Sequence, residues 1–347
     1  MTLVGLEEII CTEKKMFQIF DLIILFSITL IVSVLGILIL IPILTSYKMF
    51  DRPNSRSSHT LPIPRGGGIA IILASLAIPF ILKINWPIIV VYITLIFSFV
   101  SLRDDIKSIN PFIRFAIHVF LVLIFFYFSP WKNQISFFTN PLPFHFDIII
   151  LFVALLWFIN LFNFMDGIDG ITGVECIILS LGATLVCFFN GQNINQPYIA
   201  LAGAGVAFLI FNWHPAKIFL GDSGSIPLGF INGYILLDLS SKGLSYAALI
   251  LSSYYLCDSS ITLIKRILDK QKPWKAHNDH FYQKAVQKGL SHSLVSIMIA
   301  LHGSILIILS ILTEKYFPIW TGLIITAIWC LLFLYFLSNG FGKAKNV

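Results

Sequence analysis

Long apolar runs separated by short polar segments dominate this sequence of 347 residues. Each run is close to the roughly 20 residues that an α-helix needs to cross the hydrocarbon core of a bilayer. Hydrophobic residues make up 57% of the chain and charged residues only 12%, whereas soluble domains carry about 25% charged residues. This composition excludes a soluble multi-domain protein. It predicts an all-α polytopic membrane protein.

Eleven transmembrane helices are predicted along the chain, and charge decides their orientation. If residues 1–20 lie outside, seventeen lysines and arginines fall in inside loops and six fall outside. Basic residues accumulate on the cytoplasmic side of membrane proteins, so we expect an outside N-terminus and an inside C-terminus. The predicted spans are 21–44, 68–84, 87–102, 112–129, 147–162, 174–190, 197–213, 225–239, 244–264, 293–313 and 317–338.

The polar residues collect in five inside loops, and residues 1–347 are predicted to form one domain without internal repeats. A net charge of +6 is dispersed over short loops, which argues against a nucleic-acid partner. An ion-coupled transporter is the alternative from another class. Transporters, however, usually place polar residues near the membrane midplane, often within inverted repeats. Acidic residues at one face of the membrane favour an enzyme whose chemistry is confined to that face.

The first inside loop, DRPNSRSSHTLPIPRGGG at residues 51–68, combines three arginines with a glycine triplet. A basic segment that only fixes membrane orientation would not need the glycines. Glycine lets a backbone approach a ligand closely. We therefore expect Arg65 and residues 66–68 to contribute to a site for an anionic substrate.

The second loop places Asp104 and Asp105 directly after an apolar run, with Lys107 and Arg114 nearby. Ionisable residues at a membrane boundary are costly and usually functional. A solvated loop pair is the structural alternative. Adjacent carboxylates beside a cation suit a site for Mg²⁺ and phosphate, because Mg²⁺ is held by a few protein oxygens together with substrate phosphates.

The third loop, NLFNFMDGIDG at residues 160–170, spaces Asn160, Asn163, Asp166 and Asp169 three residues apart. On a straight α-helix the first and last of these side chains would point in opposite directions. The helix must therefore end or deform here, which the glycines permit. Several of the four side chains are then expected to converge on one ligand.

The fourth loop, NWHPAKIFLGDSGS at residues 212–225, carries Lys217 and Asp222 among glycines and serines. The GDSG string also occurs in serine proteases, but no histidine and aspartate arrangement for a serine nucleophile is evident. Backbone N–H groups at a glycine-rich helix start suit phosphate, and Asp222 suits a metal ion. His214, in the same loop, carries no functional prediction.

The fifth loop, residues 265–292, is basic and contains His277, His280 and His292. His277 and His280 lie three residues apart and would bind zinc if a third ligand joined them. No cysteine lies near them, and the loop is strongly cationic, so a phosphate or sugar contact is the preferred prediction.

The five loops together resemble those of the polyprenyl-phosphate N-acetylhexosamine-1-phosphate transferases of glycosyltransferase family 4, the group of WecA, TagO and WbpL and, more distantly, MraY. The resemblance covers about residues 45–295, and the loops occur in family order. Asp104 and Asp105 match the acidic motif, NLFNFMDGIDG matches NxxNxxDGxDG, and PAKIFLGDSGS matches PAxxFxGDxGS. The lysine that often follows the acidic pair is missing from its usual place. Lys107 or Arg114 is expected to substitute for it.

This resemblance implies a role for each matching residue. Asp104 and Asp105 would be catalytic, and Asn163 and Asp222 would contact Mg²⁺, with Mn²⁺ as an alternative. The nucleotide would be bound by Asp166, Asp169, Asn212 and Phe219. The phosphate and sugar would be bound by Arg65, Lys217, His277 and His280.

The implied reaction is attack of a polyprenyl phosphate oxygen on the β-phosphorus of a UDP-sugar, which releases UMP. It would occur at the cytoplasmic face of a bacterial inner membrane, among membrane lipids, and would start O-antigen or other envelope polysaccharide synthesis. The segment HNDHFYQ, residues 277–283, lacks adjacent histidines and is closest to the WbpL branch. This favours an unelaborated UDP-N-acetylhexosamine as donor. UDP-N-acetylmuramoyl pentapeptide is the alternative donor. The sequence does not distinguish direct from two-step displacement, and it does not establish whether the protein is a homodimer.

Overall fold

The computed structural model describes residues 3–53, 61–84, 86–129, 131, 144–272 and 277–339. Nearly all regular structure in these residues is α-helical, as the sequence predicts. The helices are α1 (Leu3–Ser46), α2 (Gly68–Ile81), α3 (Ile88–Ile106), α4 (Pro111–Phe128), α5 (Phe144–Phe164), α6 (Ile171–Phe189), α7 (Pro197–Asn212), α8 (Asp222–Ser241), α9 (Ser245–Leu268), α10 (Phe281–Gln287), α11 (His292–Lys315) and α12 (Ile319–Asn339).

Each predicted span overlaps one of these helices, which confirms the all-α polytopic membrane fold. Within the residues that the structure describes, seven helical segments are long and apolar enough to cross a membrane by length and composition. They are Ile19–Ser46, Pro111–Phe128, Phe146–Phe164, Ile171–Phe189, Ser245–Leu268, His292–Lys315 and Ile319–Asn339. Helices α2 and α7 are apolar but shorter. The count of eleven crossings therefore stays a prediction.

Helix burial separates a lipid-facing periphery from a protein core. In the most apolar part of α4 and of α12 only 22% of residues are buried, whereas the corresponding part of α6 is 78% buried. Large apolar side chains such as Phe120 and Trp320 are exposed on the peripheral helices. Lipid chains solvate such side chains as well as a protein interior does, so the exposed apolar surface fits a membrane protein.

Small residues allow the central helices to pack closely. A Cβ atom added to Gly203 of α7 would lie 2.6 Å from the carbonyl oxygen of Phe26 in α1. Close backbone approach through small residues is how membrane helices associate where water does not drive them together. Helix α8 packs against α3, α5 and α9 in the same core, so its first residue is held by several neighbours.

The structure corrects several predicted boundaries near the polar loops. Helix α1 begins at Leu3 rather than near residue 21. Asp104 and Asp105 lie in the last turn of α3 rather than in a loop, and Asp222 is the first residue of α8. Helix α10 was not predicted from the sequence. The short antiparallel pair of β1 (Phe50–Asp51) and β2 (Ile63–Pro64) was not predicted either. Residues 54–60 and 273–276, parts of the first and fifth loops, lie outside the described residues.

Candidate active site

The first and fourth loops pair through their backbones. The amides of Gly66 and Gly67 donate to the carbonyl oxygen of Phe219 at 3.0 and 2.9 Å, and the amide of Gly68 donates to Leu220 at 3.1 Å. A Cβ atom on Gly68 would lie 2.1 Å from the Cα atom of Gly224. The glycine triplet lets the starts of α2 and α8 touch, which no larger residue would allow. Its predicted contribution to an anionic substrate site stays a prediction.

Asp105 binds the start of α8. Its Oδ1 accepts the amide of Asp222 at 3.1 Å, and its Oδ2 accepts the amide of Ser223 at 2.9 Å. The first N–H groups of a helix have no partner within the helix, and a carboxylate there is stabilising. The Asp105 side chain is only 1% exposed. Its position fixes the direction in which Asp222 points.

Two arginines connect the acidic residues. Arg65 Nη2 lies 2.5 Å from Asp222 Oδ1 and 3.0 Å from Asp105 Oδ1. Arg114 Nη1 lies 2.7 Å from Asp104 Oδ2 and 2.9 Å from Asp222 Oδ2. Burial by itself would lower the pKa of Arg65, but the carboxylates of Asp222 and Asp105 outweigh it and the pKa is raised. Of the two basic residues considered for the position beside the acidic pair, Lys107 and Arg114, it is Arg114 that contacts Asp104.

Helix α5 ends at Phe164, within the third loop, as the spacing of the loop's polar residues predicted. Asn163, in the last turn, donates from Nδ2 to Ser225 Oγ at 2.7 Å and to Asp222 Oδ1 at 3.3 Å. Asp166 accepts a hydrogen bond from Thr172 Oγ1 at 2.6 Å. Burial raises the pKa of Asp166 to about 6, and the Thr172 hydrogen bond only partly offsets this rise. Asn160 instead donates to the backbone of its own helix.

Asp169 is held by two imidazoles. Its Oδ2 lies 2.6 Å from His214 Nδ1, 3.4 Å from His292 Nδ1 and 3.2 Å from the amide of Ala216. Burial would raise the pKa of Asp169, but the bonds from His292, His214 and Ala216 outweigh it and the pKa is lowered. Asn212 connects the third and fourth loops, because its Oδ1 accepts the amide of Gly170 at 2.8 Å.

These side chains surround a cavity of about 280 Å³. Its lining includes seven of the predicted site residues, which are Arg65, Asn163, Asp166, Asp169, Asn212, Phe219 and Asp222. Asp51 and Gln283 also line it, and neither was singled out from the sequence. Gln283 could have been found only through the contact of α10 with the third loop, because a lone glutamine carries no sequence signal.

The other five predicted site residues do not line this cavity. Asp105 accepts the amide of Asp222, and Asp104 is connected to Asp222 through Arg114. Both oxygens of each carboxylate accept hydrogen bonds from the protein. Lys217 is exposed outside the cavity. The predicted roles of all five residues remain predictions. The contacts of Asp104 and Asp105 are those of residues that position others.

His277 and His280 lie just before α10 and not in the cavity lining. His280 is 1% exposed, and its Nδ1 lies 3.0 Å from Asp258 Oδ1. Asp258 also accepts the amides of Phe281 and Tyr282 at the start of α10. Burial, and then the neighbouring His280, lowers the pKa of His277 to about 4. The contacts of Asp258 with His280, Phe281 and Tyr282 fix the position of α10.

Helix α10 then packs against the third loop. A Cβ atom on Gly167 would lie 2.2 Å from the hydroxyl oxygen of Tyr282, so only glycine fits there. The next residue along α10, Gln283, reaches the cavity. His280 and Asp258 therefore act on the cavity through α10, and Asp258 was not singled out from the sequence.

The donor set of the cavity fits a hard divalent cation. Four acidic residues line the cavity, Asp51, Asp166, Asp169 and Asp222, against one arginine, Arg65. A divalent cation such as Mg²⁺ would offset this excess of acidic groups, and its preferred ligands are carboxylate and carbonyl oxygens. Asp222, Asn163 and Asp166 supply such oxygens at the cavity wall. The residues present therefore fit Mg²⁺.

Comparison with known proteins gives matches over most of the chain. The glycosyl transferase family 4 profile matches residues 87–240, a segment that contains the second, third and fourth loops. A protein of Bacillus subtilis (strain 168), described as a probable undecaprenyl-phosphate N-acetylglucosaminyl 1-phosphate transferase, is 28% identical over 313 residues. That match covers 85% of this chain and 86% of the relative.

A second group of relatives matches less of the chain. The phospho-N-acetylmuramoyl-pentapeptide-transferase of Streptococcus pneumoniae (strain CGSP14) is 27% identical over 185 residues. The match covers 48% of this chain and 56% of the relative, so the chain spans little more than half the length of that protein. The pneumococcal relative from strain D39 is 28% identical over the same shares of both chains.

Proposed function

We propose that this chain, whose residues 87–240 match glycosyl transferase family 4 as its loop motifs indicated, transfers an N-acetylhexosamine 1-phosphate from a UDP-sugar to polyprenyl phosphate and releases UMP. The chain is a multi-pass membrane phosphotransferase. The observation that carries the finer proposal is the cavity that joins Asp222, Asn163 and Asp166 to Arg65 at the polar end of the helix bundle. It combines oxygen ligands for a cation with a guanidinium for phosphate.

The arginines are suited to hold phosphate oxygens. Arg65 and Arg114 each bridge two carboxylates, so their guanidinium groups are already oriented, and Arg65 lines the cavity. An arginine pairs with phosphate through parallel N–H donors, which fixes direction as well as charge. When bound, Mg²⁺ would neutralise charge on the diphosphate and on the departing UMP. Asp222, Asn163 and Asp166 are the residues that would hold it.

The lipid substrate needs little help from a base. A phosphate monoester has a second pKa near 6 and is mostly dianionic at pH 7. Asp104 and Asp105 have both carboxylate oxygens engaged by protein donors, and neither residue lines the cavity. We infer that they position Asp222 and the arginines rather than remove a proton. The nucleobase end of the donor is assigned by resemblance to Asp169, Asn212 and Phe219.

The location and pathway follow the same proposal. The charge distribution supports a cytoplasmic active site in a bacterial plasma membrane, with the product entering O-antigen or another envelope polysaccharide. The transporter alternative is disfavoured, because the polar side chains of the cavity lie at one end of the bundle and the family match covers the lining residues between Asn163 and Asp222. The pneumococcal relatives motivate the muramoyl-pentapeptide nucleotide as a second donor candidate.

UMP release tests the proposal directly. Purified protein would be incubated with polyprenyl phosphate, Mg²⁺ and, in separate reactions, UDP-GlcNAc, UDP-GalNAc, UDP-FucNAc or the muramoyl-pentapeptide nucleotide. We expect UMP release only with lipid acceptor, loss of release with a chelator, and a higher kcat/KM for an unelaborated donor. Mn²⁺ would be added back as a second cation. A preference for the pentapeptide donor would replace the donor assignment, and lipid-independent activity would contradict the reaction.

A further inference from the structure

Asp169, His214 and His292 bring three metal-binding side chains together from three separate segments. Asp169 lies between α5 and α6, His214 follows α7, and His292 begins α11. Their ligand atoms all lie within 4.8 Å of one another. The centres of the two imidazole rings are 4.7 Å apart. A search of the described residues for three or more histidine, cysteine or acidic side chains close enough to hold one metal ion finds these three.

The donor set differs from that of the acidic part of the cavity. Two imidazole nitrogens and one carboxylate oxygen are the ligands that Zn²⁺ and similar transition metals prefer, whereas Mg²⁺ prefers oxygen. Tetrahedral Zn²⁺ with bonds of about 2.0 to 2.1 Å separates neighbouring ligand atoms by roughly 3.3 Å. His292 Nδ1 lies 3.4 Å from Asp169 Oδ2, which matches that separation.

His214 needs only a small movement to join the same geometry. Its Nδ1 lies 2.6 Å from Asp169 Oδ2, and its side chain is 41% exposed. Because the ring is not enclosed, it can swing outwards to the wider separation. The open side would leave a fourth position for water, as in zinc sites with three protein ligands.

His292 Nδ1 faces both a donor and an acceptor. It lies 3.4 Å from the backbone amide of Asp169, a donor, and 3.4 Å from Asp169 Oδ2, an acceptor. One ring nitrogen of a neutral histidine either donates or accepts, so each tautomer satisfies only one of these contacts. A cation held by Nδ1 and Oδ2 would use the Nδ1 lone pair in place of the long contact with the amide. His292 is 4% exposed, so the protein holds this ligand in place.

We propose that Asp169, His214 and His292 form a binding site for a transition-metal dication such as Zn²⁺, separate from the oxygen site that suits Mg²⁺. Asp169 lines the cavity, so a metal there would also compete with the nucleotide sugar. The inhibitory part of this proposal rests on the proposed function. The binding part does not, because it concerns three side chains and one ion.

Cobalt substitution tests binding without any substrate. Full-length protein in detergent, with saturating Mg²⁺ to occupy the oxygen site, would be titrated with Co²⁺ and followed by visible absorption. Tetrahedral Co²⁺ absorbs far more strongly than octahedral Co²⁺, so we expect intense bands that saturate at one ion per chain. One equivalent of Zn²⁺ should remove them. Weak bands alone, or bands that never saturate, would overturn the proposal.

Variants connect the signal to the three residues. His214→Ala changes an exposed side chain and should abolish the intense bands while the protein stays folded. His292→Gln, at a buried position, is the second variant and should weaken them. His277→Ala is the matched control, because it removes another histidine outside the cluster and should leave the spectrum unchanged. An unchanged spectrum in His214→Ala and His292→Gln would refute the site.

Kinetics then tests the competition. Zn²⁺ should raise the apparent KM for the UDP-sugar at least tenfold without changing kcat, and His214→Ala should remove this effect. If cobalt binds as expected but Zn²⁺ does not change KM, the metal site stands and the overlap with the nucleotide is wrong. If the protein transfers no sugar phosphate at all, the proposed function fails, and the cobalt result is unaffected.

Discussion

Replacing Asp105 with asparagine distinguishes a positioning residue from a catalytic base. In the structure Asp105 accepts the amides of Asp222 and Ser223 and lies 3.0 Å from Arg65 Nη2. Asparagine has nearly the same shape but carries one oxygen and one NH₂ group. Its NH₂ group would face an N–H donor at the start of α8, and the negative charge that pairs with Arg65 would be lost.

The expected loss follows from these contacts. Hydrogen bonds to charged groups contribute about 1.5 to 3 kcal/mol each, and a buried group left without its partner costs a similar amount. The start of α8 must therefore shift, and Asp222 with it. A misplacement of about 1 Å near the reacting atoms costs roughly 100-fold in rate. We expect Asp105→Asn to lower kcat roughly 100-fold, which corresponds to about 2.7 kcal/mol of barrier.

The assay is UMP release at saturating substrates between pH 6 and pH 8.5, together with the melting temperature in detergent. If Asp105 positions Asp222, the loss of rate is equal across this range and the melting temperature falls. Asp269→Asn is the matched control, because it removes an exposed carboxylate at the end of α9 and should change neither measurement. A variant that regains activity at high pH, where the lipid phosphate is fully ionised, would refute the positioning role and favour a base.

Three further predictions concern the cation, the pH dependence and the topology. Asp222→Asn and Asn163→Ala should each lower Mg²⁺-dependent UMP release roughly 100-fold or more while the protein still inserts in the membrane, and a near-normal rate would remove that residue from the metal site. Because burial raises the pKa of Asp166 to about 6, protons compete with the cation for this carboxylate. Mg²⁺ affinity measured by titration should therefore fall as the pH drops from 8 to 5.5, and Asp166→Asn should flatten that dependence. A reporter fused after residue 347 should be active in the cytoplasm, and activity only in the periplasm would contradict the eleven-span topology.

The third loop illustrates how far local sequence carries a site prediction. The three-residue spacing of its oxygens could not fit one face of a helix, so a helix end was expected there, and α5 does end at Phe164. Asn163, Asp166 and Asp169 all line the cavity, and their convergence on one ligand stays a prediction. Asn160 does not, because it lies a turn earlier and donates to its own helix.

The glycine triplet and the acidic pair show where local reasoning stops. The sequence indicates that residues 66–68 permit a close approach, but not what approaches. The structure gives the answer as Gly224 and the backbone at Phe219, more than 150 residues away. The acidic pair likewise indicates a cation site, whereas the structure turns Asp105 towards the start of α8.

Hydropathy and helix-ending residues are enough to predict the membrane fold and the five polar loops, because they act within a few turns of one chain segment. Which loops meet depends on how the helices pack. Arg114 binds Asp222 across 108 residues of sequence, and His292 reaches Asp169 across 123. Every helix presents a similar apolar surface, so its sequence pattern does not specify its neighbours. Only the packing of all helices together selects them and thereby gives Asp169 its two histidines.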